Sequence, residues 1–230
     1  MIAIIGAMEE EIARLKEEMT GTSETNKAGM TFCAGTLCGR DVVVVCSGIG
    51  KVNAAICTQI LADEFGAEAI INTGIAGGLR DGIGIGDVVV STDAVQYDVH
   101  AEVFGYAAGQ IPRMDVLAFP ADEALVALAE EVCAEVNPDI RAHRGRVASG
   151  DSFISERAEA GMIRDTFDAY CTEMEGAAIA QAAYLNHIPC VILRAISDNA
   201  DESAAEDSET FDQKAIRHSL ALVRGMLERM

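Results

Sequence analysis

Apolar residues along the chain fall into short runs separated by compact polar or glycine-rich turns. The most informative run is Val191-Ile192-Leu193-Arg194-Ala195-Ile196-Ser197-Asp198. Its β-branched start is the pattern of a strand buried on both faces, as in a mostly parallel sheet. It finishes in ionisable groups, and in open α/β sheets ligands bind beyond the carboxyl ends of the strands. Taken alone, Asp198 fits a turn or a helix cap equally well.

The same reading can be carried along the chain. Ile2 to Ile5 predicts a first strand, followed by a turn at Gly6-Ala7-Met8. A helix from Glu9 to Met19 then presents Ile12, Leu15 and Met19 on one face. Residues 20–29 are polar and read as a loop, and 30–37 with 41–46 as a strand pair turned at Gly39-Arg40. Ser47-Gly48-Ile49-Gly50-Lys51 is a tight glycine turn leading into a helix that stops at Gly66. A strand over 69–72 runs into a second glycine turn, Thr73 to Gly78, and another strand covers 87–95. Periodicity fails from Gln96 to Pro120, where Tyr97, Phe104, Tyr106, Pro112 and Phe119 are scattered; so long a loop is usually functional or disordered. Helices are predicted over 121–136, from a Ser155 cap through Phe167, from Glu173 to about Asn186, and at the end of the chain after an acidic loop at 199–208. Strands over 144–149, 169–172 and 190–197 alternate with them. This order predicts a mixed, mainly parallel sheet flanked by helices, in a single domain spanning residues 1–230.

Composition narrows the function. Half of the 230 residues are hydrophobic, enough for a substantial core, and the formal net charge is −20. That charge repels nucleic acid and anionic membrane surfaces. No apolar run reaches the roughly 18 residues of a membrane-spanning helix, and Met1 to Gly6 carries no basic leader. The seven cysteines are odd in number, lack a Cys-x-x-Cys pair and lie mostly in apolar segments. Reduced, buried thiols in a cytoplasmic protein are expected, with no metal site.

Several predicted strands end in a small-residue turn or a carboxylate: Gly6-Ala7, Ser47-Gly48, Thr73-Gly74, Gly150-Asp151, Glu173 to Glu175 and Ser197-Asp198. Each glycine alone serves its own turn; together they suggest one pocket with close backbone approach to a ligand. None is a nucleotide loop: there is no G-x-x-x-x-G-K-[ST], and Gly82-x-Gly84-x-Gly86 precedes a strand rather than a helix. Glu9-Glu10-Glu11 stands at a helix amino end, where anions are favoured, so the chain supplies its own carboxylates there. Glu9 and Glu10 read as solvated, whereas Glu11 could turn inward and hold a water as general base. Glu173-Met174-Glu175 repeats the theme, either as helix caps or as acceptors for vicinal sugar hydroxyls. Phe153 offers a core side chain or a face for a flat heterocycle.

These segments, in this order and spacing, resemble the 5′-methylthioadenosine/S-adenosylhomocysteine nucleosidases of the purine nucleoside phosphorylase-like family. The matching residues are Gly6 to Glu11, Ser47 to Lys51, Asn72-Thr73-Gly74-x-Ala76-Gly77-Gly78, Ser149-Gly150-Asp151-x-Phe153-Ile154, Glu173 to Glu175 and Arg194 to Asp198. The resemblance covers essentially the whole chain. It implies a three-layer αβα sandwich around a mixed sheet and a cofactor-free homodimer acting on a small adenine nucleoside thioether. It also implies that Asp198, oriented by Ser197, protonates adenine N7, and that Phe153 stacks on the base while the Ile154 backbone reads its edge. Glu175 would bind the ribose hydroxyls above Met174, and Glu11 would position the attacking water with help from Arg194. Met8 and Ile49 would line the sugar and alkylthio side. Ile75, Gly77, Gly78, Glu173 and Phe211 complete the implied substrate site, and Phe104, Tyr106 and Pro112 would close the partner subunit's pocket. One position departs from the family pattern: Ile75 stands where Ser is frequent, so a hydroxyl is lost there.

The implied chemistry asks for such groups. Cleaving an N-glycosidic bond leaves an oxocarbenium-like sugar, and adenine leaves poorly as an anion, so Asp198 must keep a proton near neutral pH. A phosphorolytic relative would need cations around a phosphate, which Glu11 opposes. A futalosine-type hydrolase would differ in how the six-position of the base is read. A non-catalytic nucleoside-binding module would not need both Glu11 and Asp198.

Overall fold

The computed structural model describes residues 1–201 and 203–230, and the side chains of all of these except 205–212. The strands are β1 (Ile2–Gly6), β2 (Thr20–Lys27), β3 (Met30–Leu37), β4 (Arg40–Cys46), β5 (Ala69–Gly78), β6 (Val88–Gln96), β7 (Phe119–Pro120), β8 (Ala142–Ser149), β9 (Ala169–Glu173) and β10 (Cys190–Asp198). The helices are α1 (Glu9–Glu18), α2 (Lys51–Phe65), α3 (Glu123–Val136), α4 (Arg157–Phe167), α5 (Gly176–Leu185) and α6 (Ala204–Arg229). The strands form one mixed sheet. Helices α1, α3 and α6 pack on one face around Ile4, Val44, Val191 and Leu193, and α2 and α5 on the other around Ile5, Val43 and Ile70. The predicted three-layer α/β architecture is therefore the observed one. Every residue of β10 is buried, as its apolar run and double helical cover require.

The sheet is more curved than a flat sandwich. Strand β5 pairs with β10 along most of its length, with β1 over Ala69 to Asn72 on its other edge, and with β9 at its last two residues. Because β10 also pairs with β6, β6 with β8, and β8 with β9, these five strands close into a circuit. The closing contact is Gly77 and Gly78 of β5 against Thr172 and Cys171 of β9.

Some expectations need correction. Residues 20–27 are a strand, not a loop, paired antiparallel with β3. All eight are exposed, so no hydrophobic alternation marks them; the ladder of backbone hydrogen bonds to β3 defines the strand. Ser155 caps no helix: α4 begins two residues later, after Glu156. Glu173 ends β9 instead of opening α5, whose N-cap is Glu175. Helix α6 begins at Ala204, inside the predicted acidic loop. The aperiodic stretch holds a 3₁₀ turn, Glu102–Phe104, and the short β7 on the edge of β6.

Helix α3 starts after Asp122, whose Oδ1 accepts hydrogen bonds from Ala124 N and Leu125 N, both at 3.0 Å. Losing such a cap costs about 1 kcal/mol. Asp122→Ala should lower the melting temperature by roughly 2–4 °C in a chain of this size. An unchanged melting curve would show that the cap contributes nothing.

Candidate active site

The carboxyl ends of β1, β9 and β10 and the last turn of β5 surround one cavity. Met8, Glu11, Ile49, Ile75, Gly77, Phe153, Glu173, Met174, Glu175, Ser197 and Asp198 line it, together with Ala7, Ala76 and Thr172. Ile154 lines an adjoining recess with Gly77, Phe153, Thr172 and Asp198. Most of the residues singled out in the sequence therefore meet at one place. Arg194 and Gly78 stand behind the lining, and Phe104, Tyr106 and Pro112 lie outside it. The side chain of Phe211 falls outside the described residues.

Glu11 is buried while its neighbours Glu9 and Glu10 are exposed, and Glu9 is held by Lys16. Glu11 stands at the third position of α1, where a carboxylate reaches back to the orphan N–H groups of the helix start. Ala7 N and Met8 N donate to its Oε2 at 2.7 and 3.0 Å, and Ile75 N donates to Oε1 at 3.1 Å. Burial raises its affinity for a proton, and Arg194 and these three N–H groups only partly offset that. A carboxylate tuned in this direction suits a base acting near neutrality.

Arg194 is 1 % exposed and so needs partners. Its Nε donates to Glu173 Oε2 at 3.0 Å, and its Nη2 donates to the same oxygen and, at 2.7 Å, to Asn72 Oδ1. Glu175 lies 3.8 Å from Nη2. Burial works against the charge on Arg194, but Glu173, Glu175 and Glu11 together outweigh it and the guanidinium holds its proton more tightly than usual. Gly74 makes the arrangement possible: a Cβ there would stand 2.5 Å from Arg194 Nη1 and 2.6 Å from Glu11 Oε1.

The two carboxylates of the Glu173-Met174-Glu175 segment differ in duty. Glu173 Oε2 also accepts from Glu175 N and Gly176 N at the start of α5, and Oε1 accepts from Ser149 Oγ. Both of its oxygens are thus engaged by protein. Glu175 accepts from Gly50 N at 2.8 Å, a bond from the glycine turn before α2. Burial and the charge of Glu173 push its carboxyl up to about 7, against the pull of Arg194. Asp198 Oδ1 accepts from Ala200 N at 2.8 Å, and Ser197 Oγ donates to Oδ2 at 2.9 Å. Phe153 and Ile49 are each more than half exposed, leaving apolar faces open at the mouth.

Two groups had been given no role in the sequence reading, although Asn72 belongs to one of the matching segments. Asn72 fixes Arg194 while its Nδ2 donates to Ile5 O. It is a polar residue closing an apolar run, which is the available signal. Thr172 stands beside the recognised Glu173, and only strand alternation distinguishes the face it occupies. All seven cysteines are free and none lines the cavity; burial pushes the Cys57 and Cys190 thiols up to about 12. Among the described residues no group of three or more His, Cys, Asp or Glu is placed to hold a metal ion. No helix among them is long and apolar enough to cross a membrane.

A mixed α/β sheet with a carboxylate-rich cavity at its strand ends is an enzyme-like arrangement, and comparison with known proteins gives its class. Residues 1–228 match the Phosphorylase superfamily. A 5′-methylthioadenosine/S-adenosylhomocysteine nucleosidase of Anoxybacillus flavithermus is 45% identical over 230 residues, covering 100% of this chain and 98% of the relative. The crystal structure of the nucleosidase of that name from Neisseria meningitidis, in complex with methylthio-immucillin-A, is 38% identical with a TM-score of 0.96, covering 100% and 99%. A futalosine hydrolase of Helicobacter pylori is also similar, at 33% identity and a TM-score of 0.94, covering 100% and 97%. The chain belongs to the 5′-methylthioadenosine/S-adenosylhomocysteine nucleosidase family of the Phosphorylase superfamily.

The raised Glu175 carboxyl has a consequence for stability. Below pH 4.5 the group is protonated whether the chain is folded or not, so no penalty arises. Between 4.5 and about 7 the unfolded chain ionises first, and stability falls as pH rises through that window. Glu175→Gln removes the titration. The melting temperature of the wild type should therefore drop relative to this variant by a few °C between pH 5 and pH 8. Parallel profiles would overturn the assignment.

Proposed function

We propose that the chain hydrolyses the N-glycosidic bond of 5′-methylthioadenosine and S-adenosylhomocysteine, releasing adenine and the 5-substituted ribose. The observation that carries this reading is the state of the backbone donors around Glu11, at the start of α1 and on β5. The N–H groups of Ala7, Met8 and Ile75 already bind Glu11. A phosphate nucleophile would need free donors and a cation, and Arg194 is engaged by Glu173. A phosphate charge about 4 Å from Glu11 would meet repulsion of ~1 kcal/mol in water and ~4 at the effective dielectric of a protein surface. A water gains from the same carboxylate, which orients it and takes its proton as it attacks.

Asp198 protonates N7 of the departing adenine. Ser197 serves it in either protonation state, because a hydroxyl both donates and accepts. Phe153 stacks on the base and the Ile154 backbone reads its edge, while Met8 and Ile49 face the 5′ substituent. Glu175 holds the ribose hydroxyls over Met174, and the nearby carboxylates stabilise positive charge developing on the sugar. Arg194 and Glu173 act by fixing Glu11 and Glu175. No cofactor takes part.

The enzyme works in the cytoplasm, as one domain and as a homodimer. Support for the dimer comes from exposed apolar side chains on α2 and in the aperiodic stretch. Val52 and Ile56 on α2 are 70% and 42% exposed, and Val103 and Phe104 are 87% and 80% exposed. Lys51 Nζ joins the start of α2 to Asp98 Oδ1 at the root of the aperiodic stretch, at 2.5 Å. A face of this kind is normally covered, here by a second copy whose Phe104, Tyr106 and Pro112 close the neighbouring pocket.

The test is to incubate the protein with methylthioadenosine, adenosylhomocysteine, adenosine, inosine and futalosine, with and without phosphate, and to resolve the products. Adenine and free 5-substituted ribose are expected at any phosphate concentration. Ribose 1-phosphate formed in proportion to phosphate would restore the phosphorylase, and release of a 6-oxo base or of the futalosine base instead of adenine would favour that other hydrolase. Asp198→Asn should lower turnover at least ~10²-fold, and Glu11→Gln should bind nucleoside yet lose most hydrolysis. Phe104→Ala should weaken substrate binding in a protein that sediments as a dimer; a fully active monomer would rule out the shared pocket.

A further inference from the structure

Thr172 carries a side-chain oxygen that no other described residue engages. Among the described residues, its Oγ1 is the single buried side-chain nitrogen or oxygen without a hydrogen-bond partner. The residue is 4% exposed and lines both the cavity and the adjoining recess. Buried hydroxyls are nearly always satisfied, so an idle one facing a ligand cavity points to a partner that arrives with the ligand. The recess is lined by Ser152, Glu173 and Asp198 as well as by Gly77, Phe153, Ile154 and Met174, and none of these bonds Thr172 Oγ1. Gly77 has no side chain, and those of Phe153, Ile154 and Met174 offer at most a weak sulfur acceptor.

Position defines what that partner is. Along β9, Cys171 packs into the core against Ala177 and Ile192, and Glu173 meets Ser149 and Arg194. Alternation sends Thr172 to the opposite face. There it pairs with Gly77, which on its other side pairs with Asp198. With strands about 4.8 Å apart, Thr172 and Asp198 stand roughly 10 Å from each other across a residue with no side chain. A Cβ on Gly77 would come within 2.8 Å of Asp198 Oδ1, so the gap between them depends on glycine. A fused bicyclic base lying over Gly77 has one edge at Asp198 and the opposite edge at Thr172.

Adenine in a nucleoside has three ring acceptors, N1, N3 and N7. On the reading proposed above, N7 faces Asp198 and the edge bearing N1 faces the Ile154 backbone. N3 remains, on the side away from N7. We propose that Thr172 Oγ1 donates a hydrogen bond to N3 of the adenine base and that Thr172 is a specificity-determining residue of the site. The contact rests on the adenine reading and extends it. It forms with bound substrate and strengthens as the leaving base gains electron density.

The test compares wild type, Thr172→Val and Thr172→Ser. Valine keeps the shape and removes the hydroxyl; serine keeps the hydroxyl and removes the methyl. Thr172→Val should weaken adenine binding and lower kcat/KM for methylthioadenosine about tenfold, with Thr172→Ser close to wild type. Replacing adenine by 3-deazaadenine should weaken binding to the wild type by a similar factor and to Thr172→Val little further, the mark of a shared bond in a double-mutant cycle. Calorimetric binding of the free bases gives this readout apart from turnover, and thermal melting reports whether each variant is folded. Equal losses from 3-deazaadenine in wild type and Thr172→Val, or a Thr172→Val enzyme that binds adenine as the wild type does, would overturn the inference while leaving the adenine reading in place. A wild type that neither binds nor releases adenine would overturn both.

Discussion

The buried charge of Arg194 is the constraint around which the site is arranged. A guanidinium at 1 % exposure has lost its water, and removing any partner would leave an uncompensated charge in the core. The chain surrounds it with Glu173 from the end of β9, Asn72 from β5, and Glu175 and Glu11 from the starts of α5 and α1. This fixes the distance between α1 and α5 and ties β10 to β9 and β5. It also sets the protonation of the site. Three carboxylates share one cation, so they cannot all ionise as they would in water, and the Glu175 carboxyl sits near 7. Glu11 and Glu175 both line the cavity and are both buried, and burial raises the proton affinity of each. Glu173 is committed to Arg194, Ser149 and the α5 backbone.

Much of this was legible in the sequence because the residues lining the cavity sit mostly at or just beyond strand ends, and buried parallel strands announce themselves as apolar runs. Ile2 to Gly6, Ala69 to Asn72 and Val191 to Asp198 each end at the cavity. What the pattern could not carry was anything set by pairing. Residues 20–27 expose both faces, so their strand exists through partners on β3 and leaves no periodic trace. Glu173 and Glu175 look equivalent two positions apart, and only the direction of Arg194 separates support from ligand contact. The role of Thr172 depends on a pairing with Gly77 nearly a hundred residues earlier in the chain. The resemblance to a known family supplied roles for many positions, but Thr172 was not among them.

Closure of the strand circuit explains why so many glycines crowd this end of the fold. Strand β5 keeps β10 along one edge and serves two neighbours in succession on the other, β1 at its start and β9 at its tip, and the switch occurs over the cavity. Gly74 leaves room for Glu11 and Arg194 to approach each other, and Gly77 leaves room beside Asp198. A side chain at either point would fill the space a substrate needs or push apart the charges that define the site. These glycines are required by what approaches them, since neither has the positive φ that marks a turn glycine.

The same logic bears on the choice of nucleophile. A helix start with free N–H groups attracts an anion from solution, and on this fold such an anion would be phosphate. Here the donors are met from within the chain, by a residue one turn into the helix. On the proposed reading, Glu11 neutralises the attraction that phosphate would exploit and places a proton acceptor where the phosphate would have stood. A single side chain would then close one reaction and open another. Its raised proton affinity follows from its burial, so on that reading selectivity for water and the capacity to activate it have one physical origin.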